Sequence, residues 1–383
     1  MRDWASVDSR IAEHLGKTFP AAQIVIRVRG EIVYDRAFGY LDPDARSRLT
    51  HHASRFDLAS VSKLFTVAAF MTFVEQGHVA LDQRVCEILP EFVGARAVTA
   101  YPDPLNPGKF VEIVPGEGLR ADAGQVTFRN LLAHDSGLPA WLPLWKIASR
   151  EKRRDAALNS SFAYPIGARV VYSDIGLILL GFALEKIAGQ SLDQIVRERV
   201  TVPLGLDSIG YGPISCDNVA PTEFYAHQNR RMCGEVHDEN AWSLGGVAGH
   251  AGLFGCARDV ALFGEALRTN RLLSRATLAE MTRLQAQDGA VRRGIGFALW
   301  SPDPGAASNP LGEKTFGHLG FTGTSLWIDP SAGSGQAPTR DLVVACLTNR
   351  VYYGRDNAEA MGAFRVAFHR AVCEAVDSEL SEQ

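Results

Sequence analysis

Asp341-Leu342-Val343-Val344-Ala345-Cys346-Leu347-Thr348 is almost continuously apolar, as expected for a strand buried on both faces at the centre of a sheet. Its neighbours lie on both sides of a long helical stretch. Residues 296–300, 314–319 and 324–329 read as strands just upstream. At the other end of the chain, residues 23–29 and 31–40 are β-rich runs hinged at Gly30, which predicts a hairpin. Between the two groups, apolar residues recur at helical spacing over 60–75, 127–133, 174–188, 191–200, 259–267 and 274–283. Gly189 closes one of these helices, and Ser191 with Gln194 predicts a capping box for the next. Strands at both ends of a chain imply one discontinuous sheet domain with a helical insertion. The expected fold is α/β (α+β), with residues 1–58 and 288–383 forming a sheet domain and residues 59–287 a mostly helical domain.

Two further helices flank that sheet in the expected fold. One spans residues 2–17, with Trp4, Val7, Ile11 and Leu15 on one face, and the other spans 357–376, with Phe364, Phe368 and Val372 on one side. Residues 100–125 carry four prolines and read as a long surface loop, and 331–338 as a small low-complexity loop.

Composition narrows the function. The chain has 383 residues, 46% of them apolar and 21% charged, enough for two or three domains with a large core. A formal charge of −4, from 43 acidic and 39 basic residues, argues against a nucleic-acid partner. Asp3 and Asp8 stand where a secretory signal needs a basic start, and the longest apolar run, 64–74, is too short to span a bilayer. Six cysteines without close pairing read as reduced thiols, so the expected location is the cytoplasm, or the envelope if the sequence is that of a mature form. No oligomeric state follows from the sequence.

Three places carry candidate chemistry. Ser60-Val61-Ser62-Lys63 opens an apolar helix, so Ser60 and Lys63, three residues apart, share a face. A lysine activates a serine only if its pKa falls from about 10.4 toward neutrality, a shift of ~3 units or about 4 kcal/mol. The alternative reading of Ser60 is a helix N-cap. The same pattern at Ser149-Arg150-Glu151-Lys152 sits in a charged surface run. Tyr172-Ser173-Asp174 precedes another apolar helix, where the alternative is that Asp174 caps the helix and Tyr172 packs. The run from Gly317 through His318 and Gly320 to Trp327 is a glycine-punctuated strand entry, suited to a substrate laid along its edge, or otherwise a bulged edge strand with a surface histidine. Cys233, His237, His250 and Cys256 follow no common zinc spacing, so no metal is expected.

The sequence from Phe56 to Lys63, the run Leu131-Leu132-Ala133-His134-Asp135-Ser136-Gly137-Leu138-Pro139, then Tyr172-Ser173-Asp174-Ile175-Gly176 and His318-Leu319-Gly320 occur in this order. Together they resemble the serine β-lactamase and penicillin-binding-protein-like family, on the class C β-lactamase, DD-peptidase and esterase side, over residues 20–370. The stretches from Gly245 to Phe254 and from Phe321 to Pro330 resemble a branch of serine hydrolases, some of which act on muropeptides. The resemblance implies a β-lactamase/transpeptidase-like fold with an antiparallel sheet and no cofactor. It implies Ser60 as nucleophile, Lys63 as its base partner and Tyr172 as proton shuttle. His318 would flank the pocket, and the backbone N–H groups of Ser60 and Phe321 would form the oxyanion hole.

Two departures bear on the activity. Many members have Asn where this chain has Asp174, and a carboxylate there holds Lys63 charged, against its role as a base. The lysine of Lys-Thr-Gly is His318 here, which with an ordinary pKa near 6.5 is mostly neutral at pH 7 and attracts a penicillin carboxylate less well. The expectation is a hydrolase acting on a small ester, amide or muropeptide, with a pH dependence set by His318. The alternatives are a class C-type β-lactamase and a non-catalytic penicillin-binding sensor.

Overall fold

The computed structural model describes residues 4–104, 106, 108–113, 118–330 and 340–381. Its centre is the strand Leu342–Thr348, all seven residues of which are buried. The strand pairs antiparallel with Ser325–Asp329 on one side and with Ala21–Val28 on the other, in a register that sets Ile24 opposite Cys346. The full sheet has eight antiparallel strands. Their spatial order is Ala286–Asp288, Val291–Arg293, Ala298–Leu299, Phe316–Leu319, Ser325–Asp329, Leu342–Thr348, Ala21–Val28 and Glu31–Gly39. The first hairpin turns through Arg29 and Gly30, both at positive φ, as a tight two-residue connection requires.

Side-chain alternation sends the central strand into two cores. Val343, Ala345 and Leu347 face one core, and Leu342, Val344 and Cys346 face the other. The second core is closed by the helices Ala5–His14 and Ala358–Ser381, the latter longer than its sequence pattern suggested. The first is closed by the helix Ala257–Arg268, whose Gly264 lies so near the sheet that a Cβ there would come within 2.7 Å of Val343. Beyond that layer lies the helix Ser62–Glu75, in which every residue from Ser62 to Phe73 is buried. A helix that is apolar all round belongs inside a protein, and Phe65 stacks on Phe263 at 4.0 Å.

Several expectations need correction. Residues 100–125 are not one loop: Tyr101–Pro102 pairs with Phe110–Val111, and Arg120–Asp122 pairs with Ala95–Ala97. The proline-rich composition hid strands only two or three residues long. Ser191 is the N-cap of Leu192–Val196 but makes no side-chain capping bond. Gly189, in contrast, ends its helix in the left-handed region as expected. The low-complexity run 331–338 lies outside the described residues. The six cysteines carry free thiols. Among the described residues no single helix is long and apolar enough to cross a membrane.

Candidate active site

Ser60 sits in a single 3-10 turn, Ala59–Val61, wedged between the strand Phe56–Asp57 and the helix Ser62–Glu75. The turn is held from beneath by the buried Asp57 carboxylate, which accepts hydrogen bonds from the backbone N–H of Ala59 at 2.8 Å and of His237 at 2.6 Å. Ala59 adopts a positive φ of 47°, uncommon for a residue with a side chain, and this aims the next residue outward. Ser60 does not cap the helix. Its Oγ accepts from Lys63 Nζ at 2.7 Å, the contact that the three-residue spacing predicts. Lys63 is 1% exposed. It also donates to the carbonyl of His250 at 3.1 Å and forms an ion pair with Asp174 Oδ1 at 2.8 Å.

The Tyr172-Ser173-Asp174 segment is carried by the residues around His134. His134 ends the short helix Phe128–Ala133 at φ 59°, and its carbonyl accepts from Val171 N at 2.8 Å while its Nδ1 accepts from Ser173 N at 3.0 Å. Ser173 Oγ donates to Pro139 O at 2.6 Å, and Asp174 N donates to Ala140 O at 2.8 Å. The helix cap is Ser173, whose Oγ accepts from Gly176 N at 3.1 Å. Asp174 therefore does not cap the helix and is free to face Lys63. The Tyr172 ring lies 4.8 Å from Lys63 Nζ and 4.9 Å from the His134 ring. Among the described residues its enclosed hydroxyl has no hydrogen-bond partner, although Lys63 and Ser60 are near enough to influence its ionisation.

These environments set the charges. Burial pulls the Lys63 pKa down, but Asp174 and then Tyr172 outweigh it, and the net shift is upward. Burial pushes the Tyr172 phenol up further than Lys63 can lower it. The resting pair is an ammonium and a neutral phenol.

His318 lies on the strand Phe316–Leu319, 3% exposed, with its ring 5.6 Å from that of Tyr172. The surface-histidine reading is therefore wrong. A carbonyl can only accept, so the 2.7 Å contact between His318 Nδ1 and Leu319 O fixes the proton on Nδ1. That leaves Nε2 as an acceptor, enclosed and without a partner among the described residues. Burial, then Lys63 and Arg293, hold the His318 pKa well below 6.5. Burial first, and the neighbouring cations second, thus move the His318 titration away from the near-neutral pH expected of an ordinary imidazole.

The turn after His318 is bolted to the segment that leads into Ser60. Thr322 Oγ1 donates to Asp57 O and Thr324 Oγ1 to Leu58 O, each at 2.8 Å. Arg365 reaches in to donate to the carbonyls of Gly320 and Thr324, each at 3.0 Å. Gly320 admits no side chain, since a Cβ there would lie 2.0 Å from Thr324 Oγ1 and 2.8 Å from Leu58 O. Phe321 is held by its ring, which stacks on His237 at 5.7 Å and faces Arg350 at 4.7 Å.

Ser60, Lys63, Tyr172, Asp174 and His318 thus come together, with Gly320 and Phe321 beside them. Ser149 stays apart as the N-cap of Arg150–Leu158. Of the cysteine and histidine set, His237 pairs with Glu223 and His250 with Asp238, each at 2.8 Å, and Cys256 accepts from Ser208. Sequence reasoning passed over three contributors. His134 was visible only as part of a quoted run, the His250 carbonyl has no side-chain signal, and Arg293, whose guanidinium lies 5.3 Å from the Tyr172 ring, sits in an ordinary charged strand.

The profile of the Beta-lactamase family matches residues 7–367. A putative D-alanyl-D-alanine carboxypeptidase of Salmonella agona (strain SL483) is 26% identical over 364 residues, covering 85% of this chain and 79% of that protein. Its counterpart from Salmonella typhi matches with the same identity and coverage. Among solved structures, EstCE1, a hydrolase with promiscuous acyltransferase activity, superposes with a TM-score of 0.70 at 22% identity, covering 96% of this chain and 98% of that one. A penicillin-binding protein homologue from Caulobacter crescentus gives 0.70 at 18% identity, with 97% of each chain covered. At these identities the structural likenesses speak for the fold alone.

Proposed function

The chain belongs to the β-lactamase family, and on that premise we propose that it is a serine hydrolase working through an acyl-enzyme on an ester or amide, on the esterase and DD-peptidase side of the family. The observation that carries the reading is the 2.7 Å contact between Ser60 Oγ and Lys63 Nζ at the mouth of a buried helix. The cleft would lie between the sheet part (1–58 and 288–383) and the helical part (59–287). The names of the curated relatives support a carboxypeptidase-like substrate, and the free thiols support a reducing compartment.

In this mechanism Ser60 Oγ bonds to the substrate carbonyl carbon as its proton passes to the neutral amine of Lys63. The carbonyl oxygen, now negative, is held by the backbone N–H groups of Ser60 and Phe321. The leaving group takes a proton from the Tyr172 hydroxyl, which regains one from the Lys63 ammonium, and departs, leaving an ester on Ser60. Water then attacks that ester as its proton passes to Lys63, and Lys63 returns a proton to Ser60 as the acid product leaves. Lys63 is the base in those molecules where it has given up a proton, so catalysis is favoured on the alkaline side. His318, buried and neutral, contributes an acceptor at Nε2 in place of a charge.

The test mixes the protein with p-nitrophenyl acetate, a fluorophosphonate and a fluorescent penicillin, beside Ser60→Ala. Acetate turnover and fluorophosphonate labelling that both vanish in the variant are expected. Full activity in Ser60→Ala would refute the assignment. Rapid loss of a penicillin label would make the protein a β-lactamase, and a permanent label without ester turnover would make it a sensor.

A further inference from the structure

Cys216 opens the 3-10 turn Cys216–Asn218, and Cys233 follows the short strand Arg230–Arg231. They stand 17 residues apart in the chain, and the fold brings them together. Cys233 Sγ lies 4.0 Å from the carbonyl oxygens of both Cys216 and Val219. Ile214 N donates to Gly234 O at 2.8 Å, which lays the chain before Cys216 alongside the chain after Cys233. Gly234 keeps the space between them open, since a Cβ there would come within 2.1 Å of Ile214 O and 3.4 Å of Cys216 Sγ. Burial first, and a hydrogen bond to the Cys216 thiol second, push the Cys233 thiol up to about 12.

The other four cysteines are engaged elsewhere. Cys86 donates to Gly124 O, Cys256 accepts from Ser208, Cys373 donates to Pro310 O, and Cys346 lies buried in the central strand. Exposure separates the two partners of the pair, for Cys216 is open to solvent and Cys233 is half-buried. Cys216 is therefore the thiol that a dissolved reagent can reach. Arg48, which donates to the Cys216 carbonyl at 3.2 Å, brings a positive charge beside both sulfurs, and a nearby cation favours a thiolate.

We propose that Cys216 and Cys233 are a modification site, a dithiol that reacts with a low-molecular-weight disulfide and closes into a reversible Cys216–Cys233 bond. With oxidised glutathione, the Cys216 thiolate attacks one sulfur and the glutathione disulfide breaks. The departing glutathione takes up the proton that Cys216 gave. Cys233 then loses its proton and attacks the Cys216 sulfur, the mixed disulfide breaks, and the second glutathione leaves as a thiol. Two protein thiols are oxidised and one glutathione disulfide is reduced to two thiols. Cys233 holds its proton tightly, so the second step is the slower one. The bond would join two segments that brace the approach to Ser60. Asn218, in the same turn as Cys216, accepts from Ser54 Oγ at 2.7 Å and from Arg55 N at 2.9 Å, and His237, downstream of Cys233, donates its N–H to Asp57 at 2.6 Å.

The proposal goes beyond the acyl-enzyme reading and stands or falls without it. The whole protein, reduced and then freed of reductant, is incubated with oxidised glutathione and followed by intact mass and peptide mapping. A transient glutathione adduct on Cys216 is expected, then the loss of two hydrogens per chain in a Cys216–Cys233 cross-linked peptide, with full reversal by dithiothreitol. Closing that loop in the fold as it stands should raise the melting midpoint. Cys233→Ser should stop at the adduct, and Cys216→Ser should form no bond. An unchanged mass, an adduct on Cys216 that never resolves, or a bond between any other two cysteines overturns the proposal. A cross-linked protein that melts below the reduced one would show that the fold must distort to make the bond, and overturns a preformed pair. Thermal melting shows whether the variants are folded, and if either is not, the wild-type peptide map decides.

Discussion

Lys63 Nζ and Asp174 Oδ1 face each other at 2.8 Å where the lysine side chain is 1% exposed. Three acceptors surround the nitrogen, namely Ser60 Oγ, the His250 carbonyl and Asp174. The first two accept hydrogen bonds and the third adds an ion pair, and the carboxylate outweighs burial in favour of the charged form. The family resemblance assigns this lysine as a base, and its carboxylate partner moves that role to higher pH.

The rate of p-nitrophenyl ester hydrolysis is expected to rise from about pH 6 into the alkaline range. The base form of Lys63 is a minority that grows as pH rises toward a pKa that is itself raised. Asp174→Asn removes the carboxylate, so the rising limb moves to lower pH. A profile identical in the two proteins would disprove the coupling.

Acid should destabilise the fold through its buried histidines. His134 and His318 are held well below 6.5 by burial first and neighbouring cations second, and His369 is lowered to about 4. Below about pH 6.5 the unfolded chain takes up protons that these folded rings refuse, so their stabilisation is present at neutral pH and lost as pH falls toward the folded values. For His369, fully buried, that is roughly 3 kcal/mol at 1.36 kcal/mol per unit. Urea melts at neutral pH and near pH 4.5 check the direction, and equal midpoints would count against it.

Gly320→Ala is expected to cripple the enzyme. The new methyl would overlap Thr324 Oγ1 and the Leu58 carbonyl, which are held to each other by a hydrogen bond. Relief requires parting the turn from the nucleophile's strand, at a cost of about 1–3 kcal/mol for the buried bond that breaks. Ester turnover and the thermal midpoint should both fall. Wild-type turnover in this variant would show that the turn has slack.

Ser149→Ala serves as the contrasting substitution. It removes one N-cap acceptor from an exposed helix, worth about 1 kcal/mol. A slightly lower melting temperature with unchanged ester turnover is expected. Lost activity would mean that the second Ser-x-x-Lys pattern matters.

Much of this was legible in the chain. The unbroken apolar run 342–348 announces a strand with neighbours on both sides, and it has them. Ser60 and Lys63 were paired by spacing alone, which works because a helix converts three residues into one contact. The charge state of His318 was not legible. It depends on burial and on Lys63 and Arg293, which come from other elements. The ribbons within 95–122 escaped because strands of two or three residues carry no periodicity. Arg293 escaped for a different reason: its place beside the Tyr172 ring is made by the fold, and an ordinary charged strand gives no sign of it.

The two threonine bonds that tie the Gly320 turn to Asp57 and Leu58 also order events in time. Ser60 and Lys63 leave the ribosome well before the turn that completes their surroundings. Until that turn and the central strand are made, the Asp57 and Leu58 carbonyls lack the hydroxyls that grip them, and the strand that Ala21–Val28 must pair with does not yet exist. The pair that stands three residues apart in sequence is therefore seated only by segments made long after it.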